Sequence, residues 1–264
     1  MAKCGEIISV LESIAPPCFA LSFDNAGLNI GCIDSEITGI TVCLDATEEV
    51  IKESIEKGNN LIVSHHPLIF TPIANLNCSY ENYKAVALAI KNDINIYSMH
   101  TNLDAVKGGV NDTLASLLGV KNSQIIDKID EENGIGRVGD IEQISLGALA
   151  QKIQELLCFP VRIIADSKDK KLSKIAVVNG SGADAEYLVK AKEMGAECFI
   201  TSEVKHHIAL FARSIKMPII ESGHYATERF FIPTLSTLIE KALTNKGYNL
   251  KTTVSEKEKC PYLD

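Results

Sequence analysis

The chain has 264 residues, 46% of them hydrophobic and 23% charged, and a formal net charge of −8 at pH 7. This composition excludes a chiefly disordered, collagenous or disulfide-stapled chain, and the length fits one large or two modest α/β domains. The acidic balance, with no block of Lys and Arg, argues against a direct nucleic-acid surface, and no apolar run approaches the ~18–20 residues of a membrane span.

The segment Met1-Ala2-Lys3-Cys4-Gly5-Glu6 carries an acid early and has no apolar stretch behind it, so it does not read as a signal peptide. Cysteines at 4, 18, 32, 43, 78, 158, 198 and 260 form no CxxC pair. They read as reduced, mostly buried thiols of a cytoplasmic protein.

Ile7, Val10, Leu11 and Ile14 recur at helical spacing, and Pro16-Pro17 ends that helix. A buried strand is predicted over 40–44, then a helix with Glu48 and Glu49 in its first turn and Gly58 as its stop. Strand 61–63, helix 81–91, strand 94–97 and a helix marked by Val110, Leu114, Leu117 and Leu118 follow. The stretch 127–139 reads as a charge-rich turn leading into a Gly-spaced strand, with a domain boundary just before it. Beyond it come helix 146–157, strands 161–165 and 174–178, helix 185–194, and strands 198–201 and 218–221. A helix over about 225–243, kinked or interrupted by Pro233, and an edge strand over 250–254 complete the order. The rhythm predicts an α/β fold of two domains with mixed, largely parallel sheets.

Six histidines are present, and their placement is the most informative feature of the chain. Ser64-His65-His66-Pro67, His100-Thr101-Asn102-Leu103-Asp104 and Gly223-His224-Tyr225-Ala226-Thr227-Glu228 each follow a predicted strand. Ligands of α/β sheets bind at the carboxyl ends of strands. Imidazole with carboxylate suits Zn, Mn, Fe, Co or Ni. His224 and Glu228 are spaced i, i+4 and share one helix face. His65 and His66 are adjacent, so in extended chain they point apart. Two close ions taking one histidine each, with Asp104 bridging, satisfy that geometry. Each motif alone is more often structural, and three at strand exits in one chain shift the balance to metal.

Other features are weaker. Asp45-x-x-Glu48 reads as a capping box. Asn179-Gly180-Ser181-Gly182 lacks the Lys of a phosphate loop and reads as a βα turn. Glu203, His206 and His207 either face the strand-end crevice or cap a helix. No GxSxG elbow is present, which argues against a serine hydrolase.

Four segments carry a resemblance to a known family: Phe23 to Gly31 (FDNAGLNIG), Ser64 to Phe70 (SHHPLIF), His100 to Asp104 (HTNLD) with Gly109-Val110-Asn111-Asp112 after it, and Gly223 to Glu228 (GHYATE). Together they resemble the Nif-three-like family, whose members are often labelled GTP cyclohydrolase I type 2 homologs, in its short form. Phe23 stands where Trp is usual, a change expected to alter packing only.

The resemblance implies a Nif-three-like fold, a dinuclear divalent-metal site and a toroidal homohexamer, with His65, His66, Asp104, His224 and Glu228 as metal ligands. His100, or Glu203, is then expected to move protons, His100 otherwise supporting a ligand. The implied activity is a metal-dependent hydrolase of a purine nucleotide, attacking C8 of GTP and releasing formate. The alternative is a metal-binding hexameric regulatory or scaffold protein without turnover. Bringing His224 and Glu228 back to the first half requires a metal-binding domain of residues 1–124 plus 222–264 and an inserted second domain of residues 125–221.

Overall fold

The computed structural model describes residues 2–262. It divides into two compact units: Met1–Leu103 with Phe231–Asp264, and Asp104–Phe230. Both are α/β with mixed sheets. Among the described residues no helix is long and apolar enough to cross a membrane.

The first unit contains α1 (Cys4–Ile14), β1 (Gly27–Ile30), β2 (Ile40–Cys43), α2 (Glu48–Glu56), β3 (Leu61–Ser64), α3 (Glu81–Lys91) and β4 (Asn95–Ser98). After the insertion come α10 (Ile232–Asn245) and β11 (Thr252–Val254). Its sheet has the order β1-β4-β3-β2-β11, parallel except for β1 against β4. β11 lies at the edge expected of it. Every position of β2, β3 and β4 is buried, as strands covered on both faces must be. Val50 and Ile51 of α2 and Ala85, Val86 and Ala89 of α3 pack with Cys43, Ile62 and Ile96. Short β1 escaped the sequence reading because Gly27-Leu28-Asn29-Ile30 offers too few residues for alternation to register.

The second unit contains α5 (Val110–Leu117), β5 (Lys121–Lys128), β6 (Gly134–Ser145), α6 (Leu146–Leu157), β7 (Arg162–Ile164), β8 (Lys171–Val178), α7 (Ala185–Glu193), β9 (Cys198–Thr201), α8 (His206–Ser214), β10 (Ile219–Glu221) and α9 (His224–Arg229). Its sheet runs β5-β6-β8-β9-β10-β7. β8, β9 and β10 are parallel neighbours, and β5, β6 and β7 join antiparallel. The expected charge-rich turn is the tip of the β5–β6 hairpin.

This unit is wider at both ends than the 125–221 span read from sequence. Leu114 and Leu118 of the α5 region pack into the cluster of Leu146, Leu149, Leu172, Ile175 and Ile200, and Phe230 packs against it too. Burial of these apolar groups, rather than the charge-rich turn, sets the boundary. Asp104, His224 and Glu228 therefore belong to the inserted unit. The helix expected over about 225–243 is interrupted rather than kinked near Pro233: α9 ends at Arg229, and Pro233 sits in the first turn of α10, where its missing N–H has no helical partner to lose.

The cysteines are less buried than expected. Cys4, Cys43 and Cys198 are buried, whereas Cys18, Cys32, Cys78 and Cys158 are exposed.

Glu53 of α2 is 3% exposed. It takes hydrogen bonds from Lys57 Nζ at 2.7 Å, Ser255 Oγ at 2.5 Å and Glu256 N at 3.0 Å. Burial alone would raise its pKa, but these donors outweigh it and hold the carboxyl down to about 2. Relative to the usual value of 4.5, that corresponds to about 3 kcal/mol of stability, present above pH ~4.5 and lost as the pH falls toward ~2. Glu53→Gln is expected to remove about that much at pH 7. In urea titrations its deficit against the wild type should shrink steadily as pH falls through that window; a deficit independent of pH would refute the assignment.

Candidate metal centre

β3 ends at Ser64, and the chain bends at His65 and His66 instead of continuing extended. Ser64 Oγ donates to His66 O at 2.8 Å and holds the bend. The two rings consequently lie together, with centroids 5.1 Å apart, and do not point apart as adjacent residues in a strand would. His100, just beyond the end of β4, joins them, its ring 5.3 Å from that of His65 and 5.7 Å from that of His66. One ligand atom from each of the three lies within 4.8 Å of the others.

Each ring is oriented through Nδ1. His65 Nδ1 donates to Met99 O at 2.8 Å, His66 Nδ1 to Asp45 Oδ1 at 2.8 Å and His100 Nδ1 to Asp24 Oδ1 at 2.7 Å. Asp24 also accepts from Thr101 N at 3.0 Å and Thr101 Oγ1 at 2.5 Å, and its side chain is fully buried. Burial pushes its pKa up, but the hydrogen bonds from His100 and Thr101 prevail and lower it to about 2, so it accepts as a carboxylate.

Asp45 is not the helix cap read from its spacing to Glu48. Thr47 caps α2 by accepting from Val50 N, which releases Asp45 to orient His66. Glu258 Oε1 in turn accepts from Leu44 N at 2.8 Å and Asp45 N at 2.6 Å, fixing the loop that carries Asp45.

In the second unit Asp104 lies in α4 (Thr101–Ala105) and is 9% exposed, and Glu228 in α9 is 2% exposed. Asn179 Nδ2 donates to Asp104 Oδ1 at 3.0 Å and to Glu228 Oε1 at 3.2 Å. Asn111 fixes this amide: its Oδ1 accepts from Asn179 N at 3.0 Å and its Nδ2 donates to Asp104 O at 3.0 Å. The turn after β8, read from sequence as a simple connection, thus joins two acidic residues of the site. Gly180 has φ +62°, and a Cβ there would sit 2.8 Å from Glu228 Oε1, so the turn needs glycine.

His224 and Glu228 share the expected helix face, with Nε2 and Oε2 3.1 Å apart. His224 Nδ1 lies 3.1 Å from Glu203 Oε1, and Ser181 Oγ donates to Glu203 Oε2 at 2.8 Å. Both ring nitrogens of His224 thus face carboxylates. A neutral imidazole carries one proton and can donate to only one of them. His206 and His207 are exposed at the start of α8.

Donor chemistry fits a divalent ion in both units: converging imidazoles in the first, imidazole with buried carboxylates in the second. These histidine and glutamate groups could hold a metal ion. The sequence profile of the family described as Duf34/NIF3 (NGG1p interacting factor 3) matches residues 2–261. The chain belongs to this family.

Family relatives agree along the full length. Proteins named GTP cyclohydrolase 1 type 2 homolog from Clostridium perfringens and Clostridium acetobutylicum are 37% and 34% identical to it, each match covering 98% of both chains. A crystal structure of a Staphylococcus aureus hypothetical protein superposes with a TM-score of 0.91 at 31% identity, covering 99% of each chain. A Bacillus cereus protein related to NIF3 shares the fold, with a TM-score of 0.92 at 24% identity over 100% of this chain and 99% of that one.

Proposed function

We propose that the chain is a divalent-metal-dependent hydrolase of a purine nucleotide, a GTP cyclohydrolase-like activity. His65 and His66 in the first unit, and Asp104, His224 and Glu228 in the second, are the ligands we assign to the ions, about two per chain. The observation that carries this reading is the pair of buried carboxylates, Asp104 and Glu228, drawn onto one Asn179 amide beside His224. Two like charges gathered out of water favour a cation among them.

Bound divalent ions would supply Lewis acidity, lowering the pKa of water from ~15.7 toward ~7 and stabilising developing negative charge. The chain's own residues do the rest. Asp45 and Glu203 hold His66 and His224 through Nδ1. Asn179 keeps Asp104 and Glu228 in register. Glu203 is exposed to solvent and adjoins His224, so it can exchange protons between the site and water.

In the first unit a cavity of about 630 Å³ opens just after the histidine bend, lined by Phe70, Tyr80, Asn82 and Tyr83 among others. Aromatic faces with an amide beside them suit a purine base.

Metal-depleted protein reloaded with Mn, Zn, Fe or Ni is expected to release formate from GTP, and chelated protein is not. Absence of hydrolysis with every metal, across GTP and a panel of other purine nucleotides, would reject the enzyme reading. The ring-shaped homohexamer implied by the family resemblance is part of the proposal. Light scattering should report about six times the 28.7 kDa chain mass, and a monomer at micromolar concentration would reject it.

A further inference from the structure

At the amino ends of β8 and β10 the second unit carries a cavity of about 330 Å³. His224 and Glu228 stand past the opposite, carboxyl end of β10. The floor of the cavity is apolar, with Met217 and Pro218 buried just before β10, and its rim carries Lys170, Arg213 and Lys216 against one carboxylate, Asp166. Three cations and one acid give the rim a formal charge of +2, in a chain whose net charge is −8.

Lys170 Nζ donates to Glu197 O at 2.9 Å, and Arg213 Nη2 to Asp166 Oδ1 at 2.8 Å. A guanidinium has five N–H donors, more than one carboxylate oxygen can take. The carboxylate of Glu197 is turned to the backbone, its Oε2 accepting from Ser173 N at 2.6 Å and Lys174 N at 3.2 Å.

Lys216 is the informative residue. α8 closes in a Schellman turn, with Met217 N donating to Ala212 O at 2.9 Å and Lys216 N to Arg213 O at 3.0 Å. Lys216 therefore takes φ +56°, at the position where helices favour glycine. A positive charge is favourable at a helix C-terminus, but Arg213 in the last turn and Lys192 Nζ, which donates to Ile215 O, already supply it. A ligand for its ammonium gives the strained lysine a use that the helix end does not.

We propose that this cavity binds a phosphate monoester with a compact apolar body, at a site independent of the metal centre. The dianion matches the formal charge of the rim, the Arg213 fork suits its oxygens, and the apolar floor takes the esterified group. A carboxylate would match only half of that charge.

The test is to titrate the full chain, its methionines labelled with ¹³C at the methyl, with phenylphosphonate, a non-hydrolysable mimic, at a pH where it is a dianion. The titration is run with and without a chelator. The Met217 signal, assigned through Met217→Leu, is expected to shift in both conditions. Lys216→Gly and Lys170→Gln should each weaken binding at least ~10-fold, and benzoate should bind about 10-fold less tightly than phenylphosphonate. Glycine adopts the left-handed backbone without strain, so Lys216→Gly should keep the wild-type melting temperature, which separates lost binding from lost folding. An unmoved Met217 signal, a shift that vanishes on chelation, unchanged affinity in either lysine variant, or benzoate bound as tightly would each overturn the assignment.

Discussion

Asp104→Ala is expected to abolish formate release and to reduce metal content from about two ions per chain to about one. Asp104 is buried, and its Oδ1 shares the Asn179 amide with Glu228. Removing it deletes one of the two carboxylates gathered at that amide. Loss of a metal ion from a dinuclear site forfeits several kcal/mol of transition-state stabilisation, and about 4 kcal/mol is ~10³-fold in rate. The fold should survive, because the contact from Asn111 goes to the Asp104 backbone carbonyl and Asn179 keeps Glu228 as an acceptor. Elemental analysis, a melting curve and formate release on the same preparation check this together. Two ions retained with full activity would remove Asp104 from the site.

The largest stability effect is expected at Asp112→Ala. Asp112 lies in the first turn of α5 and pairs with Arg137 of β6, whose side chain is 3% exposed. Arg137 Nη1 also donates to Gly134 O at 2.7 Å and Gly136 O at 2.9 Å. Deleting the carboxylate leaves a guanidinium buried without its counter-charge, a change that costs about 3–5 kcal/mol. Replacing both partners by apolar residues, in Asp112→Leu with Arg137→Met, should recover part of that loss, since the buried charge goes too. Urea titrations of the single and double variants separate the two effects. A single variant as stable as wild type would show that Arg137 does not depend on this pair.

Most helices and the central strands were legible in the sequence, because α3, α6 and β9 combine clear periodicity with flanking breakers. The candidate His and carboxylate residues could be picked out because each lies in a motif that follows a strand. What escaped was the support around them. Asp45 matches a capping box in spacing, and only Thr47 taking the cap reveals its other role. Asn179 stands in a Gly-rich turn, where asparagine is ordinary. Asp24 lies within FDNAGLNIG, but nothing local says that its carboxylate reaches His100, 76 residues away. The β5 strand escaped because Lys121–Lys128 is mostly exposed and polar, with no apolar alternation to reveal it. Long-range partnerships depend on which chain segments fold back on one another, and periodicity carries no record of that.

The clasp of Glu258 on the Leu44–Asp45 amides spans 214 and 213 residues of chain. On the ribosome, at about 5–20 residues per second, on the order of ten to forty seconds separate the emergence of its two halves. During that interval the inserted unit, contiguous in sequence, can fold alone, while β2 still lacks its neighbour β11. The backbone of the loop bearing Asp45 therefore gains its clasp from Glu258 only after β11 has been made.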